Sequence, residues 1–166
     1  VGAPAERGTI AVLVYNSLEV RLMDQQTWTT NGGDEYGKTD ETILSQYLEV
    51  QKWEGVVTSV PYFDYAQDGY EEDADAMMTL ENAFYTEYDN GKLDKNYDYL
   101  GSVDCSLIPE VNTLVGKKVI AYIGIDEDDR TGNRMVYAIS EKQGANKSTK
   151  ISAAQLVESG DKYYTE

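Results

Sequence analysis

Residues 118–141 read KVIAYIGIDEDDRTGNRMVYAISE, and this stretch carries the clearest signal for the fold. Apolar side chains alternate along both of its arms: Val119, Ala121, Ile123 and Ile125 on the first, and Met135, Tyr137 and Ile139 on the second. Alternation with a period of two places successive side chains on opposite faces of a β-strand. The polar segment 126–133 between the arms reverses the chain, so the stretch predicts an antiparallel hairpin whose arms are at least half-buried.

Two further strands are predicted before this hairpin. From Trp53 onward the period is again two, over residues 53–62. A second strand is predicted over Met77–Tyr85. Asp89-Asn90-Gly91 predicts a turn, because Asn and Gly tolerate the positive φ that tight turns require.

The residues after the hairpin predict a strand, a helix and a strand. The first strand is expected near Thr149–Ile151. Ser152 and Gln155 have the spacing of a capping box, which predicts a helix that ends before Gly160. A returning strand is predicted over Asp161–Thr165.

The first 50 residues are predicted to be mainly helical. Apolar residues recur at helical spacing over residues 5–18, with Pro4 suited to the first turn. A loop is predicted over Thr27–Gly37. It is followed by a short helix with Asp40 as its N-cap and with one apolar face: Ile43, Leu44, Tyr47 and Leu48.

Together these elements predict an α+β fold. A short helical segment over residues 1–50 precedes a small, mostly antiparallel, barrel-like β domain over residues 51–166 that contains one short helix. No apolar run approaches the roughly 18 residues that cross a bilayer, so no membrane span is expected.

The composition excludes several classes of function. The chain has 166 residues, 30 of them acidic and 14 basic, and its net charge of −16 opposes binding to nucleic acid. The absence of histidine excludes His-dependent triads and His-containing zinc sites. Cys105 stands alone, so it forms no intrachain disulfide and is expected to be a small buried apolar residue.

An enzyme that uses only carboxylates is compatible with this composition. Glu81 and Glu87 are one example of a pair for glycoside hydrolysis, with Trp28 or Trp53 as a sugar platform. Nothing in the spacing selects a pair among so many acids, and we therefore expect no catalytic activity. The two tryptophans are expected to be packing residues.

The acidic loops raise the question of a metal site. Asp126, Asp128 and Asp129 are spaced like ligands of a calcium loop, but Arg130 stands where a further oxygen ligand belongs. A solvated hairpin loop is therefore the main interpretation, with weak calcium binding as the alternative, and no other cofactor is expected. The segment Asp64–Asp75, with six carboxylates and no base, predicts an exposed loop.

Residues 3–18, APAERGTIAVLVYNSL, resemble the last helix of an S-layer homology repeat, the module that anchors surface proteins to the bacterial cell wall. Arg7 and Gly8 match the motif that opens this helix in the family, whereas Glu6 and Thr9 depart from it. The resemblance continues into the β region that follows such repeats, at EGVVT over 54–58 and LVGKKV over 114–119.

This resemblance implies a piece of a secreted structural protein that begins inside an anchoring repeat. In the family these repeats bind pyruvylated cell-wall polysaccharide, and the motif arginine, here Arg7, contributes to the pocket for the anionic sugar. The chain holds about half of one repeat, so wall polymer is expected to bind mostly through repeats outside it. The start at Val1 without Met likewise predicts a processed product or a fragment.

These observations predict a non-catalytic, extracellular structural protein at the bacterial cell surface, a fragment of an S-layer or surface-fibre subunit that self-assembles. Divalent cations would screen its acidic charge and bridge subunits. Strands near Met77 or Tyr163 are predicted to be edges that pair between subunits. The main alternative is a glycan-binding module that uses Trp28, Trp53 and exposed tyrosines, and an acidic mimic of DNA is a third interpretation.

Overall fold

The computed structural model describes residues 7–27, 35–61, 63–64, 76–124, 134–147, 156–159 and 162–165. Its helices are α1 (Arg7–Leu18) and α2 (Ile43–Gln46), with a 3-10 turn at Val111–Leu114. Its strands are β1 (Arg21–Thr27), β2 (Glu35–Thr42), β3 (Val50–Val60), β4 (Phe63–Asp64), β5 (Met77–Asp89), β6 (Lys92–Asn96), β7 (Ser102–Asp104), β8 (Lys118–Gly124), β9 (Val136–Glu141), β10 (Leu156–Ser159) and β11 (Lys162–Thr165). The mostly antiparallel α+β fold is confirmed.

The main sheet is built around β3. Its strands follow the order β6-β5-β3-β8-β9, while β4 pairs with β3 and β7 pairs with β5. The predicted hairpin is confirmed, since β8 and β9 pair antiparallel with Ala121 opposite Ile139. The predicted Asn-Gly turn joins β5 to β6, with φ of 48° at Asn90 and 80° at Gly91.

The sheet curls rather than closing through a continuous ladder. Within the described residues, β6 and β9 stand at opposite ends of the strand order. One isolated parallel bridge joins Asp104 at the end of β7 to Met135 just before β9. The Asp104 amide donates to the Arg134 carbonyl at 2.8 Å across this junction. The predicted barrel-like shape is therefore present only in this loose form.

The hydrophobic core lies inside the curl. Its buried side chains come from five strands and the segments that connect them: Trp53, Val57, Val60, Met78, Leu80, Tyr85, Leu100, Val103, Cys105, Val111, Val119, Ala121, Ile123 and Val136. Trp53 is 0% exposed, and its ring centroid lies 5.0 Å from that of Tyr85. Trp53 is thus a packing residue, and its interpretation as a sugar platform is wrong. Cys105 is buried, as predicted.

The N-terminal region differs from the mainly helical segment that was predicted, since two strands, β1 and β2, lie between α1 and α2. Part of the expected loop Thr27–Gly37 is strand, because β2 begins at Glu35 and pairs with β1 in an antiparallel hairpin. The helix α2 has a single turn, and its N-cap is Thr42 rather than Asp40. Thr42 and Ser45 form a reciprocal capping box, with both side-chain to backbone bonds at 3.1 Å.

Asp40 instead joins two hairpins. Its Oδ1 atom accepts hydrogen bonds from the Arg21 guanidinium and from the Gly91 amide, each at 2.9 Å. The β1–β2 hairpin is thereby tied to the β5–β6 turn. The Arg21 guanidinium also lies 5.3 Å from the ring centroid of Tyr88 on β5.

Of the predicted C-terminal helix and strand, only the strand is present in the described residues. The helix expected after Ser152 is wrong over Leu156–Ser159, which form β10. This strand pairs antiparallel with β11, which confirms the returning strand. Val157, Tyr163 and Tyr164 favour extended backbone, and this preference outweighs the capping signal. Three features of the prediction lie outside the described residues: the strand near residue 150, the packing of Trp28 and the loop over 126–133.

Met77 does not lie on a free edge, because the start of β5 pairs with β7 as well as with β3. The expectation of a pairing edge there is therefore wrong.

The proposed division of the chain at residue 50 stays a prediction. Among the described residues, no helix has both the length and the apolar character needed to cross a bilayer.

Close packing between β3 and β5 depends on Gly55. A Cβ atom placed there would lie 3.1 Å from Leu80 Cβ, 3.2 Å from the Glu81 carbonyl oxygen and 3.3 Å from Ala83 Cα. Two of these neighbours are backbone atoms, so they cannot rotate away. The contact falls where the β3–β5 register shifts and where Asn82 adopts a positive φ of 50°.

We expect Gly55→Ala to lower the free energy of unfolding by about 1–3 kcal/mol, because the added methyl group overpacks the β3–β5 contact. Urea unfolding followed by intrinsic tryptophan fluorescence measures this change, since the core residue Trp53 becomes exposed on unfolding. The matched control is Gly8→Ala in α1, where a Cβ atom would meet nothing within 4 Å. A helical Ala in place of Gly is expected to be neutral or stabilising. Equal effects of the two substitutions would contradict the packing argument.

Candidate functional site

Helix α1 is apolar and lies exposed on the surface. None of its side chains is buried. Five of them expose between 50% and 62% of their surface: Ile10, Val12, Leu13, Val14 and Tyr15. A helix that is hydrophobic on all sides is normally enclosed by protein, and a contiguous exposed apolar patch marks an interaction site. We therefore regard α1 as the candidate functional surface.

An apolar groove lies between α1 and the outer face of the sheet. It has a volume of about 400 Å³ and is lined by Tyr15, Leu18, Leu44, Leu48, Val50, Tyr122, Tyr137 and Ala138. The strand alternation of β8 explains the place of Tyr122, since its neighbours Ala121 and Ile123 face the core. Leu48 and Tyr137 remain more than half exposed at the groove.

Tyr137 reaches the groove because of a β-bulge. In the β8–β9 ladder, Tyr122 pairs with Ala138 and Ile123 pairs with Val136, which leaves Tyr137 as the extra residue. Val136 is buried, and Tyr137 is turned outward with 54% of its surface exposed. The predicted alternation of β9 is therefore shifted at this point.

A polar network holds the C-terminal end of α1 against the sheet. The hydroxyl groups of Tyr15 and Tyr122 lie 3.0 Å apart. The Tyr122 hydroxyl donates to Glu19 Oε1 at 3.1 Å, so Tyr15 is the donor to Tyr122. Lys52 Nζ donates to both carboxylate oxygens of Glu19, at 2.8 and 2.9 Å. Lys52 and Tyr122 are directly opposite each other on β3 and β8.

The network keeps Tyr122 protonated. Burial raises the pKa of the Tyr122 hydroxyl far above its ordinary value of 10.0, and the hydrogen bond with Tyr15 and the charge of Glu19 raise it further. Tyrosine is protonated at neutral pH in any case, and the raised pKa extends the ability of Tyr122 to donate to Glu19 into the alkaline range. This hydrogen bond fixes the orientation of the last turn of α1 relative to the sheet.

A second cavity, of about 260 Å³, is lined by Glu19 and three further carboxylates among both polar and apolar residues. Its carboxylates Asp40, Glu41 and Glu87 are each already hydrogen-bonded, by Arg21, Ser45 and Asn96 respectively. These bonds organise the α2 and β5–β6 surfaces. They account for the carboxylates without any bound ligand.

Arg7 is the exposed first residue of α1, and its role in binding anionic sugar stays a prediction. Asp126, Asp128 and Asp129 lie outside the described residues. In the part of the chain that is described, no group of three or more His, Cys, Asp or Glu side chains is placed to hold a metal. Calcium binding stays a prediction too.

The residues that attach α1 were not predicted from the sequence. Tyr15 and Tyr122 are 107 positions apart, and nothing in a single sequence indicates that they meet. The available signal was local: Tyr122 and Lys52 fall on the outward positions of strands whose other face is apolar. Leu44 and Leu48 were predicted to share an apolar face, and both line the groove.

The chain matches no protein-family model, no curated protein and no solved structure. The resemblance of residues 3–18 to an S-layer homology repeat therefore stays a prediction.

We expect the stability of the protein to fall above pH 10, in part because of Tyr122. The folded state raises the pKa of this hydroxyl, so its stabilising contribution is complete below pH 10 and is lost as the pH rises above that value. Tyr122→Phe should flatten this loss, which urea midpoints at pH 8, 10 and 11 measure. Tyr99→Phe is the control, since Tyr99 is 93% exposed and outside the network. Identical alkaline profiles for the wild type and Tyr122→Phe would refute the assignment.

Proposed function

We propose that this chain is a non-catalytic structural part of an extracellular S-layer or surface-fibre protein, and that it acts by self-association at the bacterial cell surface. The observation that carries the proposal is the exposed apolar helix α1 beside an apolar groove. An apolar surface of this kind is stabilised when another protein covers it. The helix motif at Arg7 and Gly8 supports the assignment to the cell surface.

The charge of the chain supports a role for divalent cations in assembly. At a net charge of −16, copies repel one another in the absence of counterions. Calcium reduces this repulsion and can bridge carboxylates of two subunits. The loop with Asp126, Asp128 and Asp129 is the proposed place of such bridges. Wall polysaccharide would bind mainly through repeats outside this chain, with Arg7 as the residue that contributes from within it.

The ends of the described sheet differ in their capacity to pair. Strand β6 presents Lys92, Asp94 and Lys95, and such charges oppose pairing of edges. Strand β9 carries no charged residue from Val136 to Ser140. A second strand adds more readily to an uncharged edge, so β9 is the proposed strand for contact between subunits.

Multi-angle light scattering tests this proposal with the wild type, Leu13→Glu and Leu107→Glu, in millimolar calcium and in chelator. We expect multimers of the wild type, and a smaller mass for Leu13→Glu because a charge then lies in the apolar surface of α1. Leu107 is the matched control, since it is 55% exposed and Leu13 is 62% exposed, but it lies outside α1. A monomeric wild type in both conditions would contradict self-association. An assembly size that chelator leaves unchanged would contradict the role of calcium.

A glycan-binding module is the second candidate, favoured by two exposed tyrosines. Tyr97 and Tyr99 lie between β6 and β7 and are 68% and 93% exposed. Phe84 supports Tyr97, with the ring centroids 5.4 Å apart. Exposed aromatic rings with a polar tip suit a wet binding surface.

Isothermal titration with cell-wall polysaccharide tests the second candidate. If these rings form a platform, Tyr99→Ala should weaken binding about tenfold, as expected for the loss of one stacking contact. Tyr36→Ala is the control, because Tyr36 is 62% exposed on β2. Equal affinities for the wild type and both variants would contradict a platform at Tyr99.

A further inference from the structure

We propose that two copies of this chain pair through α1 in antiparallel orientation, with Leu13 of one copy opposite Val14 of the other. The inference rests on the proposed function, because it names the surface and the partner through which self-association occurs. The partner is a second copy of the chain. Three features of α1 lead to this pairing: its stripe of side chains, the charges at its ends and its length.

The contact stripe consists of Ile10, Leu13, Val14 and Ser17. Their spacing of three and four residues places them on one face of the helix. Tyr15 lies on a different face, where it is held by the hydroxyl of Tyr122. Ser17 suits an apolar contact, because its hydroxyl already donates to the Val14 carbonyl at 2.7 Å. The stripe therefore brings no unsatisfied polar group into the contact.

The charges at the ends of α1 select the orientation. Arg7 begins the helix, Glu19 directly follows it, and no charged residue lies between them. An antiparallel pair brings Arg7 of each copy beside Glu19 of the other, whereas a parallel pair would bring like charges together. The Glu19 side chain remains 41% exposed while it is paired with Lys52. The uncharged stripe also lets two copies approach despite their overall negative charge.

The length of α1 sets the strength of the contact. Twelve residues span about 18 Å, so one pair of helices buries less than the roughly 1,200 Å² of a stable interface. A single pair is therefore weak. The helix pair becomes persistent where other contacts already hold many copies together, because pairing of the helices is then an intramolecular step within the assembly.

Disulfide crosslinking tests the pairing, with variants of the full chain that carry one introduced cysteine beside the native Cys105. The native thiol does not interfere, because Cys105 is 2% exposed and burial raises its pKa to about 11. Since α1 contributes no buried side chain, cysteine in this helix leaves the core unchanged. Leu13→Cys is expected to form a covalent dimer under mild oxidation at least tenfold faster than Leu107→Cys, the control for random collision.

Position 10 distinguishes the two orientations. In the antiparallel register, Ile10 lies opposite Ser17, and the two Ile10 residues are offset by about 10 Å along the helix, beyond the reach of a disulfide. Ile10→Cys alone should therefore fail to crosslink, whereas its mixture with Ser17→Cys should form a dimer. Adding Arg7→Glu to Leu13→Cys should slow crosslinking about fivefold, since two exposed ion pairs are lost per dimer.

Three results would overturn the pairing. The first is a covalent dimer of Ile10→Cys alone, which indicates a parallel contact. The second is a rate for Leu13→Cys no greater than that of Leu107→Cys while the wild type still forms multimers. In that case the pairing is wrong, and the proposed function stands on another surface. The third is a monomeric wild type in calcium and in chelator with no crosslinking, which removes the pairing and the proposed function together.

Discussion

The close approach of β5 to β3 at Gly55 is the constraint on which the rest of the structure depends. Strand β3 pairs with β5 on one side and with β8 on the other, and it contributes Trp53 to the centre of the core. The bulge at Asn82 lets β5 bend round this point. This bend allows the sheet to curl until Asp104 meets Met135, so that the core side chains are enclosed. A side chain at position 55 would push the two strands apart at this point.

Two kinds of surface result from this arrangement. The inner face of the sheet is apolar and buried, while its outer face carries Lys52 and Tyr122, which hold Glu19 at the end of α1. The helix is thus attached through a few polar contacts at one end, and its apolar side chains stay exposed. Polar contacts fix direction, whereas apolar surface supplies the free energy of association. The attachment of α1 therefore presents a hydrophobic surface in a defined direction.

The parts of the fold that sequence analysis predicted are those with a local signal. The β8–β9 hairpin and the Asn90-Gly91 turn follow from alternation and from backbone preference, and both are confirmed. Helix α1 follows from its period. The errors arose where a signal was weak or a distant contact decided the outcome. Strand β2 is polar and has no apolar alternation that would predict it. Asp40 was predicted to be an N-cap, since its actual bonds to Arg21 and Gly91 involve residues that are distant in the sequence. The candidate surface was visible as an apolar helix, but its exposure depends on tertiary packing.

Asp40 also gives one backbone amide an unusual position. The Gly91 N–H lies at the tip of the exposed β5–β6 turn, where amides ordinarily exchange their protons with water within seconds. Here the proton is held by a carboxylate that belongs to a different hairpin. Its exchange then requires this hydrogen bond between the two hairpins to open, even if β5 and β6 remain paired. The exchange rate of this single amide thus measures how often the contact between Asp40 and the β5–β6 turn opens while the sheet stays intact.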